Sequence, residues 1–117
     1  MYEHFRIRLG TAKQEEFHVL LLDNKHRVIE EKMITLGTLN QSLVHPREIF
    51  APAIELRAAS VILIHSHPSG DTKPSKQDIE ITKRLSDVGE IMGIKVLDHI
   101  IIGDGYFSFV DNGIMPE

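Results

Sequence analysis

The β-branched and leucine run Val61, Ile62, Leu63 and Ile64 leads straight into His65-Ser66-His67 and stops at Pro68, and no other segment restricts the fold as strongly. So short an apolar run, closed by a Pro-Ser-Gly turn, predicts a strand buried on both faces. Alternate residues of a strand share a face, so the imidazoles of His65 and His67 point the same way. Both can then approach one ion from a single strand edge. Pro68-Ser69-Gly70 carries the chain back toward them.

Residues 75–92 predict a helix, with Pro74 before it, Ser75 as its cap, and Ile81, Leu85, Val88 and Met92 along one face. At roughly 100° per residue, Asp78 falls within about 80° of every member of that stripe, so its carboxylate faces the sheet. Burying an isolated carboxylate costs on the order of several kcal/mol unless an ion or donors compensate it. A cation held by His65 and His67 would do so. Ser75 and Asp78 also have the spacing of a capping box, in which the acidic side chain serves the helix start, and a histidine at a strand end can be a hydrogen-bonded structural residue. Two same-face histidines, a Gly/Pro turn and an inward carboxylate together point to a metal centre.

The rest of the chain predicts a single α/β domain, residues 1–117 with a core over about 15–113: a mixed β-sheet flanked by helices. Residues 17–22 predict a buried strand, Asp23-Asn24-Lys25 a tight turn, and 27–36 an antiparallel neighbour. Residues 46–59 predict a helix with Pro46 at its first position after His45, an inner face of Ile49, Ala53 and Leu56, and a kink or shortening at Pro52. After the second helix, ending near Gly93, come a strand over 95–102 and a short strand over 106–110 beyond the Asp104-Gly105 turn. Asp98 and His99 lie inside the apolar run 96–102, where polar groups need partners; they either support metal-ligating histidines or make structural hydrogen bonds. Arg47 and Glu48 form a local ion pair or meet a partner. His4, His18 and His26 show no ligand spacing.

At 117 residues and 42% hydrophobic, the chain suits one core. Cysteine is absent, so no disulfide framework exists and any zinc must be held by nitrogen and oxygen. No apolar run approaches the length of about 20 residues that spans a bilayer, and MYEHFRIRLG lacks a signal-peptide core, so a cytoplasmic protein with no membrane partner is expected.

From His65 to Asp78 the chain resembles the JAMM signature of JAB/MPN metallopeptidases, HxHP followed by a spacer and SxxD, matched by His65, His67, Pro68, Ser75 and Asp78. HPREIF at 45–50, HSHPSGDTKPSKQDI at 65–79 and VLDHIIIG at 96–103 together resemble the RadC branch of that superfamily, and the likeness runs from about Glu15 onward. It implies a JAB/MPN, cytidine-deaminase-like fold and a Zn2+ site with His65, His67 and Asp78 as ligands and water in the open fourth position. It further implies hydrolysis of an amide bond, with Ser75 orienting the water or stabilising the oxyanion, and with a glutamate ahead of an early strand as general base. Glu15 and Glu16 both precede that strand and point to opposite faces. The family motif sets the glutamate two residues before the first core residue, which matches Glu15 and Phe17. RadC proteins commonly carry a helical region before this domain, whereas only a short segment precedes Glu15 here. The chain is therefore expected to be a short natural member or an excised domain.

With 13 Lys and Arg against 17 Asp and Glu, the net charge of −4 lacks the basic footprint of phosphate recognition. Nucleic acid is thus not expected as a partner of this domain alone, despite the family's association with DNA repair. Lys73, Lys76, Lys83 and Arg84 form a modest cluster that a solvated helix face explains. The leading expectation is a zinc metallopeptidase acting on a peptide or protein substrate. A non-catalytic MPN-type interaction module is the second, and a metal-dependent nuclease or DNA-repair-associated protein the third.

Overall fold

The computed structural model describes residues 14–36 and 44–116. His4 and the N-terminal stretch MYEHFRIRLG, expected to lack a signal-peptide core, lie outside them. Strands β1 (Glu16–Leu22) and β2 (Val28–Leu36) pair antiparallel. Their turn runs from Asp23 to Arg27 because Asp23 Oδ1 accepts from the Lys25 and Arg27 amides at 2.8 and 2.9 Å while Oδ2 takes Arg27 Nε at 2.8 Å. Every residue of β1 from Phe17 to Leu22 is buried, on both faces, Phe17, Val19 and Leu21 in one apolar cluster and Leu20 and Leu22 in another. At the sheet margin β2 exposes Val28, Ile29 and Met33 and carries Glu30, Glu31 and Lys32, charges that discourage further strand pairing.

Helix α1 (Pro46–Glu55) begins after the N-cap His45 with Pro46 at its first position. It is shorter than the periodicity predicts, ending at Glu55 rather than near Ala59. The chain leaves the helix through Leu56, and the amides of Arg57 and Ala58 fold back onto Ile54 and Ala53 carbonyls, which leaves enough chain to enter the next strand at Ser60. The inner face is Ile49, Phe50 and Ala53; Leu56, expected there, is 37% exposed at the helix end. The helix passes through Pro52 and stops one turn later.

Strand β3 (Ser60–Ser66) pairs antiparallel with β1 and parallel with β4 (Lys95–Gly103), and β4 pairs antiparallel with β5 (Gly105–Ser108). The order is β2-β1-β3-β4-β5, a mixed sheet as expected. Helix α2 (Lys76–Met92) makes the crossover that a parallel β3–β4 pair requires. Ile81 and Leu85 are buried, but Met92, expected on the same stripe, is 42% exposed. Gly89 holds the innermost place in the last turn, where an added Cβ would stand 2.5 Å from Ile94 O, and Met92 lies beyond that contact. Strand β5 also ends early, at Ser108. The Phe109 amide bonds His99 O and the Val110 amide bonds Asp98 Oδ1, turning the chain so that Val110 is 51% exposed.

One core joins both helices to the sheet face carrying Phe17, Val19, Leu21, Val61 and Leu63. Leu20, Leu22, Ile64 and Ile102 cluster on the opposite face. Among the described residues no helix is long and apolar enough to cross a membrane.

Candidate metal centre

The site forms where β3 ends. His65 is registered against Phe17 of β1 and Ile101 of β4, and its side chain is 1% exposed. The His67 amide bonds Ile102 O at 2.9 Å, which continues the ladder just far enough to keep both imidazoles on one face. Their ring centroids are 4.7 Å apart and nearly perpendicular. The returning loop is fastened to the end of β4: Gly70, at a φ of 87° that favours glycine, accepts the Asp104 amide at 2.8 Å. Gly103 lies so close beneath it that a Cβ there would stand 2.6 Å from Gly70 O. Asp71 O accepts His67 Nδ1–H at 2.8 Å, so the neutral ring presents a bare Nε2 to the cleft.

Asp78 arrives from the first turn of α2 and is 1% exposed, facing inward as its phase predicts. The capping box is real as well. Ser75 Oγ accepts the Asp78 amide at 3.0 Å, and Asp78 Oδ2 accepts the Ser75 amide at 2.7 Å. The two explanations of SxxD prove compatible, because Oδ1 still lies 3.1 Å from His65 Nδ1 and Oδ2 3.2 Å from His67 Nε2. Burial alone would raise the Asp78 pKa, but the two imidazoles and the Ser75 amide hold the carboxyl well below the usual carboxylate range. The Asp78 carboxylate in turn raises His67 against the opposing effect of burial, with help from the Asp71 carbonyl and Glu15.

Glu15 Oε2 stands 3.6 Å from His65 Nε2, whereas Glu16 turns to the other face and bonds His18 Nε2 at 2.8 Å. Of the two glutamates, the structure therefore brings Glu15 to the histidines. What holds it there escaped the sequence reading: the Glu16 amide donates to Ser66 Oγ at 2.8 Å. Ser66, the residue between the two histidines and fully buried, thus pins the start of β1 just where its ladder with β3 ends. Glu15, His65, His67, Ser75 and Asp78 line one cleft of about 260 Å³, together with Pro68, Ser69 and Gln77. A larger cavity, about 780 Å³, sits at the opposite ends of β3 and β4 near Ala59 and Lys95, away from all five.

The donor set suits a cation. Glu15, His65 and His67 each offer an atom within 4.8 Å of the others, with Asp78 against both histidines. Among the described residues neither nitrogen of His65 completes a hydrogen bond, although both are buried. A buried imidazole whose nitrogens complete no hydrogen bond is costly, and a metal ion is a partner that accepts its lone pair. Nitrogen and carboxylate oxygen are the ligands that a thiol-free zinc site uses.

The remaining polar residues separate cleanly. Asp98 is structural: it accepts from the His99 and Val110 amides at 2.8 and 3.0 Å and from Ser108 Oγ at 2.6 Å, facing the turn after β5. His99 is fully buried and bonds Thr82 Oγ1 through Nδ1 at 2.6 Å. Burial above all, and then the charge of His65, pushes its pKa down to about 3. Arg47 pairs with Glu48 at 3.7 Å on an exposed surface. Lys76 and Lys83 pair with Glu80 and Asp87 one turn along, as on a solvated helix face.

A family model described as the RadC-like JAB domain matches residues 1–114. A UPF0758 protein of Trichlorobacter lovleyi is 56% identical over 116 residues, which is 98% of this chain and 50% of that protein. A UPF0758 protein of Geobacter sulfurreducens is 53% identical and one of Staphylococcus carnosus 49%, each over 98% of this chain and 51% of the relative. The chain spans about half the length of the curated relatives it matches. Those names state no activity. The match runs through both histidines, the capped helix and the closing strands, and this chain belongs to the RadC-like JAB domain family.

Proposed function

We propose that this domain is a zinc-dependent hydrolase of an amide bond, peptide or isopeptide, with His65, His67 and Asp78 as the metal ligands. The observation that carries this is the convergence of two same-face histidines and a buried carboxylate on one cleft, with both His65 nitrogens lacking a hydrogen bond. Bound zinc would supply a water of lowered pKa, about 7, and would polarise the scissile carbonyl.

The chain's own groups have separate tasks. Asp71 O keeps the proton of His67 on Nδ1, leaving Nε2 as a donor lone pair. Asp78 stays ionised, held low by its two imidazoles and the Ser75 amide. Glu15, at the lip of the cleft with 29% of its side chain exposed, takes the proton of the attacking water and returns it to the leaving nitrogen. Ser75 Oγ uses a lone pair on the Asp78 amide, which leaves its hydroxyl proton to donate to the developing oxyanion. The net acidic charge and the paired helix lysines support a protein substrate over nucleic acid for this domain alone.

The test is elemental analysis of wild type, Asp78→Ala and Glu15→Gln after zinc is supplied, followed by screening of all three against a peptide library. Zinc in the wild type, its absence in Asp78→Ala, and retained zinc with lost cleavage in Glu15→Gln are expected. A wild type that takes up no zinc sinks the proposal.

A further inference from the structure

We propose that Thr82 and His99 are positioning residues of the metal centre: together they fasten the first turn of α2, and with it Asp78, to the central sheet beside His65. The inference rests on the metal centre proposed above.

The two histidines ride on the end of β3, whereas Asp78 comes from a separate helix. Zinc accepts nitrogen and oxygen donors only near about 2.0–2.2 Å, so relative movement of helix and sheet costs affinity directly. The capping box fixes Asp78 to Ser75 within α2; it does not tie α2 to the sheet. Beside the apolar packing of Ile81 and Leu85, the polar tie at Asp78 runs through Thr82. Asp78 O can only accept, so Thr82 Oγ1 gives its single proton to that carbonyl at 2.7 Å and must accept from His99 Nδ1–H at 2.6 Å. One hydroxyl thereby joins the peptide group of Asp78 to β4.

His99 is itself held in place. Its ring stacks on Phe109 at 4.7 Å, meets the edge of Phe17 at 5.8 Å and lies 5.9 Å from the ring of His65. With Nδ1 committed to Thr82, Nε2 has no hydrogen-bond partner among the described residues. A side chain kept only for packing between two phenylalanines would do better without that buried lone pair, since replacing both polar partners by apolar groups of the same shape is often neutral or stabilising. The polar pair is thus costly for packing and useful for fixing Asp78.

The test measures affinity for zinc alone, by competition with a chromogenic chelator, in wild type, Thr82→Val, Thr82→Ser and His99→Leu, alongside thermal midpoints of the metal-free proteins. Thr82→Val keeps the shape and removes the hydroxyl; loss of such an outer-shell partner is expected to weaken zinc about 10-fold or more. Thr82→Ser restores the hydroxyl and stays within about twofold of wild type, while His99→Leu follows Thr82→Val. Metal-free midpoints that do not track these affinities separate positioning from general stability. Wild-type affinity in Thr82→Val or His99→Leu, or a Thr82→Ser as weak as Thr82→Val, overturns the inference and leaves the metal centre standing. No zinc binding by the wild type removes the metal centre and the inference with it.

Discussion

Two regions on opposite faces of the same sheet set a buried histidine beside carboxylates. On one face His18 of β1 bonds Glu16 at 2.8 Å and approaches Glu31 of β2 at 3.6 Å. On the other, His65 lies between Asp78 at 3.1 Å and Glu15 at 3.6 Å, with His67 stacked edge-on at 4.7 Å. Both histidines are nearly inaccessible, at 3% and 1% exposure, so burial does not distinguish them. Convergence does. The His18 partners lie on either side of the ring, Glu16 hydrogen-bonded to Nε2 and Glu31 facing Nδ1 at the longer distance. Around His65 a second imidazole and two carboxylates approach one space from three elements, and neither His65 nitrogen is committed to a hydrogen bond. Adjacent residues, Glu15 and Glu16, serve the two regions because strand alternation sends them to opposite faces.

The sharpest way to break this contrast is to change one buried residue in each region. Asp78→Ala should abolish zinc uptake, by more than about 100-fold since loss of an outer-shell partner alone costs 10–100-fold, whereas His18→Gln should leave the zinc titration unchanged. Equal losses in both would mean that the His18 region is part of the centre. Next in size is the pair Glu15→Gln and Glu16→Gln. The first should lower cleavage about 10²–10⁴-fold at unchanged zinc content, the range for losing a general base, and the second should leave the rate near wild type. Reversal of that order would move the base to the other face.

A third buried histidine sharpens the comparison through pH. His99 has its folded-state pKa pushed down to about 3 from the ordinary 6.5, so the unfolded chain binds the proton first. Stability should then be unaffected by His99 above pH 6.5 and fall as pH drops toward 3, with a slope up to about 1.4 kcal/mol per pH unit. His67 is raised and contributes in the opposite sense, its stabilisation being present at low pH and lost as pH rises through its folded pKa. Denaturant melts of metal-free wild type and His99→Gln across this window isolate the His99 part: the variant should lose less stability between pH 6.5 and 4. The smallest effect belongs to Gly103→Ala. A Cβ at 2.6 Å from Gly70 O forces the His67 loop to shift, for roughly 1–3 kcal/mol of stability and a few-fold weaker zinc. An unchanged melting midpoint and zinc affinity would show that the loop is not held by that contact.

Much of this site was legible in the chain because its logic is local. Strand alternation puts His65 and His67 on one face, helical phase turns Asp78 inward, and Ser75 with Asp78 caps α2, all within a span of Ser60 to Met92. The mixed sheet and the order of its elements followed from the same periodicities. Element ends were less legible. Helix α1 stops at Glu55 because the Arg57 and Ala58 amides fold back onto its own last carbonyls and the Ala59 amide reaches Leu22 O, and β5 stops at Ser108 because the Phe109 and Val110 amides find His99 O and Asp98. Residue pattern left Glu15 and Glu16 open and only the family motif pointed to Glu15; the tertiary structure brings Glu15 to the histidines through the register of β1 against β3 and the bond from the Glu16 amide to Ser66. It alone showed that Asp78 both caps its helix and touches two imidazoles, and that His99 reaches its backbone through Thr82. Those contacts join residues up to 50 apart in the chain, where no periodicity operates; folding sets them by burying polar groups that must then find partners.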